Sequence, residues 1–562
     1  MKSAFLTLTL ATSALLAAEP AKPAPAVQSA PSTAKVVDLR VESQTNPTAV
    51  NTPLPRFSWR IETEERGWLQ TAYHILVAST PELLAQDKGD LWDSGEKAER
   101  NSQLVPLHGP PLLSEQEFHW KVRSQNLSGQ FTDWSAAAAS RVKLAGPAPL
   151  PSPLYPENAP RLSSFKCSDP ALNLIFEAAA ARLHEITSVR DIGLSMRAVG
   201  FHTSLLPNAN DWLEHLNNSV NRLGYYPASL PADGSFGSTQ SEAGISCAHA
   251  LCWMTGDTTP YARNFGTMKR YIFARKDYAN TNGKRPFGEV PADTLPEGDA
   301  TPPTFIDDTT QALNLRLLLD VITWASRDPY EAYSLNQYNQ SLGKPYAASH
   351  LNADGRLKYE SVAACLLALR SGMLSADTQK QLNTELLLDL LEEERPKILT
   401  TSPIVAAHLL PVLTWTGHHD EAIKIAGSHA AEDLDPLALA LCSEWLISMV
   451  AGIDSSNPAF SLIRLQPRIP AKDILASAQA HYDSPYGRIS ISWHHEKDGL
   501  HFDVTIPPNC LAVIELPARA SQQVTESGNP LGSSKLFFAE KRTNSSISFQ
   551  TGSGSYRFLV KN

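Results

Sequence analysis

The sequence has few cysteines and no repeated cysteine spacing. Its 562 residues include six cysteines, at Cys167, Cys247, Cys252, Cys365, Cys442 and Cys510. Disulfide frameworks are typical of small secreted domains, which a chain of this length is not. Cys247 and Cys252 are five positions apart, and no common zinc site uses that spacing. We therefore predict buried thiols that act as small apolar side chains, in preference to disulfides or metal ligands.

The sequence also lacks a basic cluster and the common motifs for bound phosphate or metal. Lys and Arg number 48 against 58 Asp and Glu, which gives a net charge of -10. Nucleic-acid binding requires a basic face, so the charge excludes it and favours a neutral ligand such as a sugar. No phosphate loop, His-Glu-x-x-His motif or serine nucleophile elbow is present. The sequence therefore predicts no cofactor and no metal.

The only apolar stretch with a targeting pattern is at the start. Met1-Lys2-Ser3 precedes an apolar run that ends at Ala18. One positive charge and a short apolar run are typical of a secretory signal, and this run is too short to span a bilayer. We predict a signal peptide over residues 1–18 and a Pro/Ala-rich spacer over 19–34. The mature protein is then expected to be secreted or periplasmic, without a membrane anchor.

Hydrophobic periodicity divides the rest of the chain into β, helical and β regions. Residues 35–145 alternate with period two between Gly and Pro turns, which predicts a β-sandwich. Residues 146–162 are rich in proline and are predicted to form a linker. Residues 163–455 contain roughly a dozen segments with helical period, and residues 456–562 alternate again, with Asp498-Gly499 as a hairpin turn. Paired amphipathic helices bury their apolar stripes against their neighbours, so the middle region is expected to be a toroid or solenoid.

Three groups of motifs, in this order along the chain, resemble bacterial α-L-rhamnosidases. They are Pro55-Arg56-Phe57-Ser58-Trp59-Arg60 with the strands after it, Asp354-Gly355-Arg356 with the following helix, and Glu444-Trp445 with Tyr482-Asp483-Ser484-Pro485-Tyr486-Gly487. The resemblance implies a multidomain α + β fold, with a six-hairpin (α/α)6 barrel between a fibronectin-like β-sandwich and a C-terminal β-sandwich. It also implies a glycoside hydrolase whose partner is a rhamnose-containing glycan. The accessory β-domains usual before the barrel are missing, so the chain is a trimmed member.

The resemblance also locates the expected catalytic groups, and the sequence departs from the family there. Inverting hydrolysis needs a carboxylic acid and a carboxylate base. The family motif Asp-Cys-Pro-Gln-Arg-Glu-Arg-x-Gly-Trp-x-Gly-Asp matches residues 189–201 when Gly200 is its last glycine. Its three acids then fall on Val189, Leu194 and Phe201, and its tryptophan falls on Ala198. The stretch with the family's base is deleted between residues 425 and 436.

Three acids remain as candidate catalytic substitutes, each with a structural alternative. Asp191 is the one acid in the motif region, but it is also expected to pair with Arg190 or Arg197. Glu242 keeps an acid at a family pocket position, but an acid is also favourable at a helix N-terminus. Glu432 lies near the deleted base, within a segment that is expected to cap the next helix.

Three further residues are candidates for substrate binding. Glu289 matches the acid of a family Gly-Asp-Trp loop, and Trp212 and Phe236 lie in or near the predicted barrel loops. Sugars stack on aromatic rings, although aromatic residues carried by helices are core residues by default.

The sequence thus leaves three functions open. The chain is a secreted α-L-rhamnosidase-like hydrolase, an inactive member that binds glycans or acts as a scaffold, or a hydrolase of altered specificity with relocated carboxylates. An acid or a base each contributes about 10²–10⁴-fold to the rate. The loss of both therefore favours the inactive member.

Overall fold

A computed structural model describes residues 33–146, 149–150, 154–206, 208–222, 224–233, 242–282, 294–325, 329–374 and 376–562. The predicted signal peptide lies outside the described residues. Along the rest of the chain a β-rich, a helical and a second β-rich region follow one another, as the periodicity predicts. None of the helices in this described part is long and apolar enough to cross a membrane.

The N-terminal domain is a sandwich of two four-stranded sheets. One sheet has the order β2-β1-β3-β6 and the other β5-β4-β7-β8. The elements are β1 (Lys35–Val41), β2 (Gln44–Thr45), β3 (Arg56–Glu62), β4 (Gln70–Ala78), α1 (Pro81–Ala85), β5 (Trp92–Asp93), β6 (Val105–Pro106), β7 (Glu117–Asn126) and β8 (Ala138–Arg141). Alternate residues of both sheets, among them Phe57, Trp59 and Trp120, form its core.

The middle domain consists of twelve α-helices in the described residues. They are α2 (Pro170–Arg182), α3 (Val189–His202), α4 (Asn208–Asn218), α5 (Ala243–Thr255), α6 (Thr259–Asn282), α7 (Pro303–Trp324), α8 (Pro329–His350), α9 (Val362–Ser371), α10 (Asp377–Glu394), α11 (Pro403–Trp415), α12 (His419–Gly427) and α13 (Pro436–Trp445). Helices α3, α5, α7, α9, α11 and α13 pack side by side, and α13 packs against α3 to close the ring. The other six helices pack outside it, which confirms the (α/α)6 barrel.

Local sequence fixes where the inner helices begin. The side chains of Ser188, Ser361, Ser402 and Asp435 each accept a hydrogen bond from a backbone N–H in the first turn of α3, α9, α11 and α13. Each such cap stabilises its helix by about 1 kcal/mol. The connections that precede inner helices include the long segments 219–242 and 283–302, whereas those that follow are short. We call the end of the ring with these long connections the barrel mouth.

The C-terminal domain is a sandwich of a seven-stranded and a five-stranded sheet. Its strands are β9 (Ser163–Cys167), β10 (Ile453–Ser455), β11 (Leu462–Leu465), β12 (Ser477–Ser484), β13 (Gly487–His495), β14 (Gly499–Ile506), β15 (Leu511–Leu516), β16 (Val524–Glu526), β17 (Asn529–Pro530), β18 (Phe538–Arg542), β19 (Ile547–Thr551) and β20 (Gly554–Lys561). Strand β9 precedes the barrel in sequence but pairs with β12. The barrel therefore starts at Pro170 and not at residue 163, because strand pairing brings residues 163–167 into the sandwich.

Candidate active site at the barrel mouth

The segment that matches the family's acid motif forms helix α3. Val189, Ala198 and Phe201 are buried, and the Phe201 ring lies 5.1 Å from the ring of Tyr482 in the C-terminal sandwich. A carboxylate at these positions would lose its hydration without gaining a partner, at a cost of several kcal/mol. The positions of two family acids and of the tryptophan therefore serve the core in this chain.

Asp191 lies in the first turn of α3, where the structure gives it a local role. Its Oδ1 is 2.9 Å from Nε of Arg190, and its backbone N–H donates to the Oγ of the capping Ser188 at 3.0 Å. Its side chain is about one-quarter exposed. The ion pair with Arg190 is the structural alternative expected from the sequence, and it aligns a negative charge with the positive end of the helix dipole.

Glu242 and Glu432 also lie at starts of inner helices. Glu242 occupies the N-cap position of α5, where its backbone oxygen accepts from the N–H of Ile245 at 2.9 Å, while its carboxylate makes no capping hydrogen bond. Glu432 is exposed on a short 3₁₀ turn, and the cap of α13 is supplied instead by Asp435. Helices α13, α3 and α5 are neighbours in the ring, so the three candidate acids lie along one arc of the mouth.

Of the three candidate substrate-binding residues, one is buried and two lie outside the described part of the chain. Trp212 lies in the outer helix α4 and is only 3% exposed, packed among apolar residues. It has no face open to a sugar, so it is a core residue, because the amphipathic helix directs it inward. Phe236 and Glu289 lie outside the described residues.

The mouth also contains an acid–histidine–tyrosine group that the sequence analysis missed. Asp308 lies in the second turn of α7, and its Oδ2 is 2.7 Å from Nε2 of the buried His350 at the end of α8. The Nδ1 of His350 is 3.1 Å from the hydroxyl of Tyr359. Burial and the charge of Asp308 raise the pKa of Tyr359. The half-exposed carboxylate of Asp308 is thus held by a histidine, an arrangement that orients an acid and can relay a proton.

The carboxyl of Glu444 has a raised pKa but lies away from the mouth. Burial raises its pKa, although Arg197 donates a hydrogen bond to it at 2.8 Å. The same guanidinium donates to Asp454 of β10 at 2.7 Å. Glu444 lies in the last turn of α13, at the end opposite the mouth, and Asp454 lies in β10, so this cluster joins the barrel to the C-terminal sandwich. Structural ion pairs also shift pKa values, and the position of this group indicates such a role.

Comparison with protein-family models identifies all three regions. The Rha78A-like N-terminal immunoglobulin domain matches residues 36–145, the bacterial α-L-rhamnosidase six-hairpin glycosidase domain matches 189–432, and the bacterial α-L-rhamnosidase C-terminal domain matches 452–530. The chain belongs to the bacterial α-L-rhamnosidase family. Its barrel is therefore the six-hairpin glycosidase domain of that family, in which residues 189–202 form helix α3.

Similar proteins agree with this assignment. An α-L-rhamnosidase of Streptomyces avermitilis is 22% identical over 384 residues, which cover 62% of this chain and 36% of that protein. One of Formosa agariphila is 36% identical over 95 residues, 17% of this chain and 10% of that protein. The chain thus matches about a third or less of the length of these relatives.

Solved rhamnosidase structures share the whole architecture. The Dictyoglumus thermophilum enzyme has a TM-score of 0.82 at 12% identity, covering 94% of this chain and 99% of that one. A Streptomyces avermitilis enzyme in complex with L-rhamnose has a TM-score of 0.81 at 13% identity, covering 94% and 100%. At such identities the likeness shows the fold alone.

Proposed function

We propose that this protein recognises terminal α-L-rhamnosyl groups of a glycan at the barrel mouth and hydrolyses them very slowly or not at all. The observation that carries the proposal is the burial of Val189, Ala198 and Phe201, three side chains of α3, in the apolar core. The family reaction needs carboxyl groups at the first and last of these positions and an indole at the other. Recognition is supported by family membership and by the L-rhamnose complex of the Streptomyces avermitilis enzyme.

The expected loss of rate follows from the chemistry of inverting hydrolysis. The general acid protonates the leaving oxygen and the base activates water, and each contributes about 10²–10⁴-fold. The motif acids are replaced by apolar residues, and the base stretch is deleted. A chain without either group keeps only the contribution of substrate positioning.

A second candidate is hydrolysis by relocated carboxylates. It is favoured by the placement of Asp191, Glu242 and Glu432 along one arc of the mouth. An inverting pair needs carboxyl groups about 6.5–9.5 Å apart.

One experiment separates the two candidates. Purified mature protein at high concentration is incubated with an aryl α-L-rhamnoside and with a rhamnose-containing polysaccharide, and free rhamnose is quantified while binding is measured by calorimetry. The proposal expects saturable binding that L-rhamnose displaces, with no release above buffer. Release abolished by Glu242→Gln or Glu432→Gln, and kept in the exposed control Glu540→Gln, would establish the relocated acids. Absence of binding to every rhamnoside would refute recognition.

We also propose that residues 1–18 direct export and that residues 19–34 form a spacer in the mature protein. The support is the Lys2 charge before an apolar run in the sequence. Expression with and without residues 2–18, followed by fractionation and mass measurement of the N-terminus, tests it. Full-length cytoplasmic protein with an intact Met1 would contradict it.

A further inference from the structure

Two histidines face each other on adjacent strands of the C-terminal sandwich. Strands β13 and β14 form an antiparallel hairpin around Asp498-Gly499, and in its register His494 lies directly opposite His501. The neighbouring positions Trp493 and Phe502 are buried in the core. Because side chains alternate along a strand, both histidines lie on the outer, polar face of the seven-stranded sheet.

The side chains of this hairpin converge on one carboxylate. The His494 and His501 rings stack at 5.2 Å with an interplanar angle of 13°. Glu496 in the turn has Oε1 at 2.9 Å from Nε2 of His494 and Oε2 at 3.8 Å from Nε2 of His501. The potential ligand atoms of these three residues all lie within 4.8 Å of one another. Oδ1 of Asp498 is 2.8 Å from the same Nε2 of His501.

We propose that His494, Glu496 and His501 form a binding site for a divalent transition-metal ion, with zinc as the best fit and Asp498 as a fourth ligand. Zinc takes imidazole nitrogens at about 2.0–2.1 Å and carboxylate oxygens at about 2.0–2.2 Å in a tetrahedron. Imidazole ligands disfavour magnesium and calcium, which prefer an all-oxygen shell. In a tetrahedron of such bonds two ligand atoms are about 3.3–3.4 Å apart, and small side-chain movements in an exposed turn allow these separations.

The charges at the turn support a cation. Within the described residues, the ion-pair contacts of Glu496 and Asp498 are with the two histidines. Metal ligation requires neutral imidazoles, so the ligand set then has the charges of two carboxylates, which a dication compensates.

A second histidine–carboxylate pair in this protein differs from the proposed site, because an arginine lies beside it. His74 in the N-terminal sandwich has Nε2 at 2.7 Å from Asp93, but its Nδ1 lies 3.3 Å from the guanidinium of Arg123. An arginine cation occupies the space where a further ligand would be needed. The pair in the N-terminal domain therefore has no metal-binding geometry and serves as the matched control.

The turn that would hold the metal also contacts the last residue of the described chain. Asn562 donates to the backbone oxygens of Lys497 and Asp498 in the same turn, at 3.0 and 3.2 Å. A ligand that binds the folded state alone stabilises it by mass action. The C-terminal sandwich is therefore expected to melt at a higher temperature with zinc than with a chelator present.

The test uses the full mature chain without a histidine tag, stripped with a chelator. Zinc is titrated by calorimetry, and cobalt absorption reports the coordination geometry. We expect one zinc per chain and a tetrahedral cobalt spectrum. His501→Ala should weaken zinc binding at least about tenfold and remove the zinc-dependent rise in melting temperature, whereas His74→Ala should leave both unchanged.

Glu496→Gln provides a second variant, because it changes an exposed turn residue and keeps its shape. It should also weaken zinc binding, and its melting temperature with chelator present should equal that of the unchanged protein. The proposal is overturned if the stripped protein takes up no zinc, or if His501→Ala and Glu496→Gln bind zinc as tightly as the unchanged protein. These results are independent of rhamnose binding at the barrel mouth.

Discussion

Arg56 provides the sharpest test of how the N-terminal sandwich is held to the barrel. Its Nη1 is 2.7 Å from Oδ1 of Asp257 and its Nη2 is 3.0 Å from Oδ2, a bidentate pair between β3 and the turn after α5. The Asp257 side chain is 1% exposed. Burial alone would raise the pKa of Asp257, but the hydrogen bonds and charge of Arg56 hold it below its usual range. We predict that Arg56→Met destabilises the protein strongly.

The magnitude follows from the charge left behind. After the substitution, Asp257 keeps the backbone N–H of Thr259 at 2.9 Å but loses its counter-ion. Removing one partner of a buried pair costs about 3–5 kcal/mol. That loss lowers the folding equilibrium constant roughly 150- to 5,000-fold. Arg56 also pairs with Glu42, and that contact is lost in both chains that lack Arg56. Replacing both partners, in Arg56→Met with Asp257→Asn, removes the buried charge of Asp257 and should recover about 1–3 kcal/mol relative to the sum of the single changes.

The assay is urea unfolding followed by tryptophan fluorescence on the four chains of this double-mutant cycle. The exposed pair between Arg141 and Glu117 provides the control, and Arg141→Met should give no measurable change. A loss below about 1 kcal/mol for Arg56→Met, or strict additivity of the two changes, would refute the reasoning that Asp257 depends on Arg56.

Three further predictions concern the barrel and the thiols. Burial lowers the pKa of His202 to about 3, whereas a histidine in the unfolded chain has a pKa of about 6.5. The contribution of the neutral, buried His202 to stability is therefore complete above about pH 6.5 and is lost as the pH falls towards 3, at up to about 1.4 kcal/mol per pH unit. Urea midpoints at about pH 7.5 and 5 should show this loss, and His202→Gln should reduce it; an unchanged pH slope would contradict the assignment. Gly244→Ala should lower the stability of the protein by about 1–3 kcal/mol or more, because the new Cβ would lie 2.0 Å from the Tyr226 ring. The Cβ added in Gly266→Ala meets nothing within 4 Å, so this substitution should raise the stability by about 0.4–1 kcal/mol. Thermal melting of the two variants checks the sign. All six cysteines are buried and unpaired, so a thiol reagent should label none in the folded protein and six after unfolding. A mass spectrum of the non-reduced protein that shows a disulfide would contradict this.

The order of the three domains and the starts of the inner helices were predictable because their causes are local. Alternation with period two appears in β3, β7, β13 and β14 as a buried position at every second residue, interrupted at few points. Helix α13 begins where Asp435 and Pro436 form a cap, as the sequence indicates. These features depend on neighbours within a few positions, so no knowledge of distant contacts was needed.

The candidate site was predictable only in part. Residues 189–201 contain one acid, Asp191, and the burial of Val189 and Phe201 in α3 is consistent with apolar residues at two of the three expected acid positions. The partner of Asp191 was anticipated, because Arg190 is its neighbour. The contact between Asp308 and His350 was not, because the two residues are 42 positions apart and meet only when α7 packs against α8.

The sequence by itself determined the domain order, the cap of α13 and the family, because each depends on residue identity or on short-range periodicity. Tertiary structure alone decided that α13 closes the ring against α3 and that residues 163–167 join a sheet whose other strands follow the barrel. It also brought Asp257 into contact with Arg56 and placed His494 opposite His501. These juxtapositions arise because apolar faces must be buried jointly, and that packing brings together residues from distant parts of the chain.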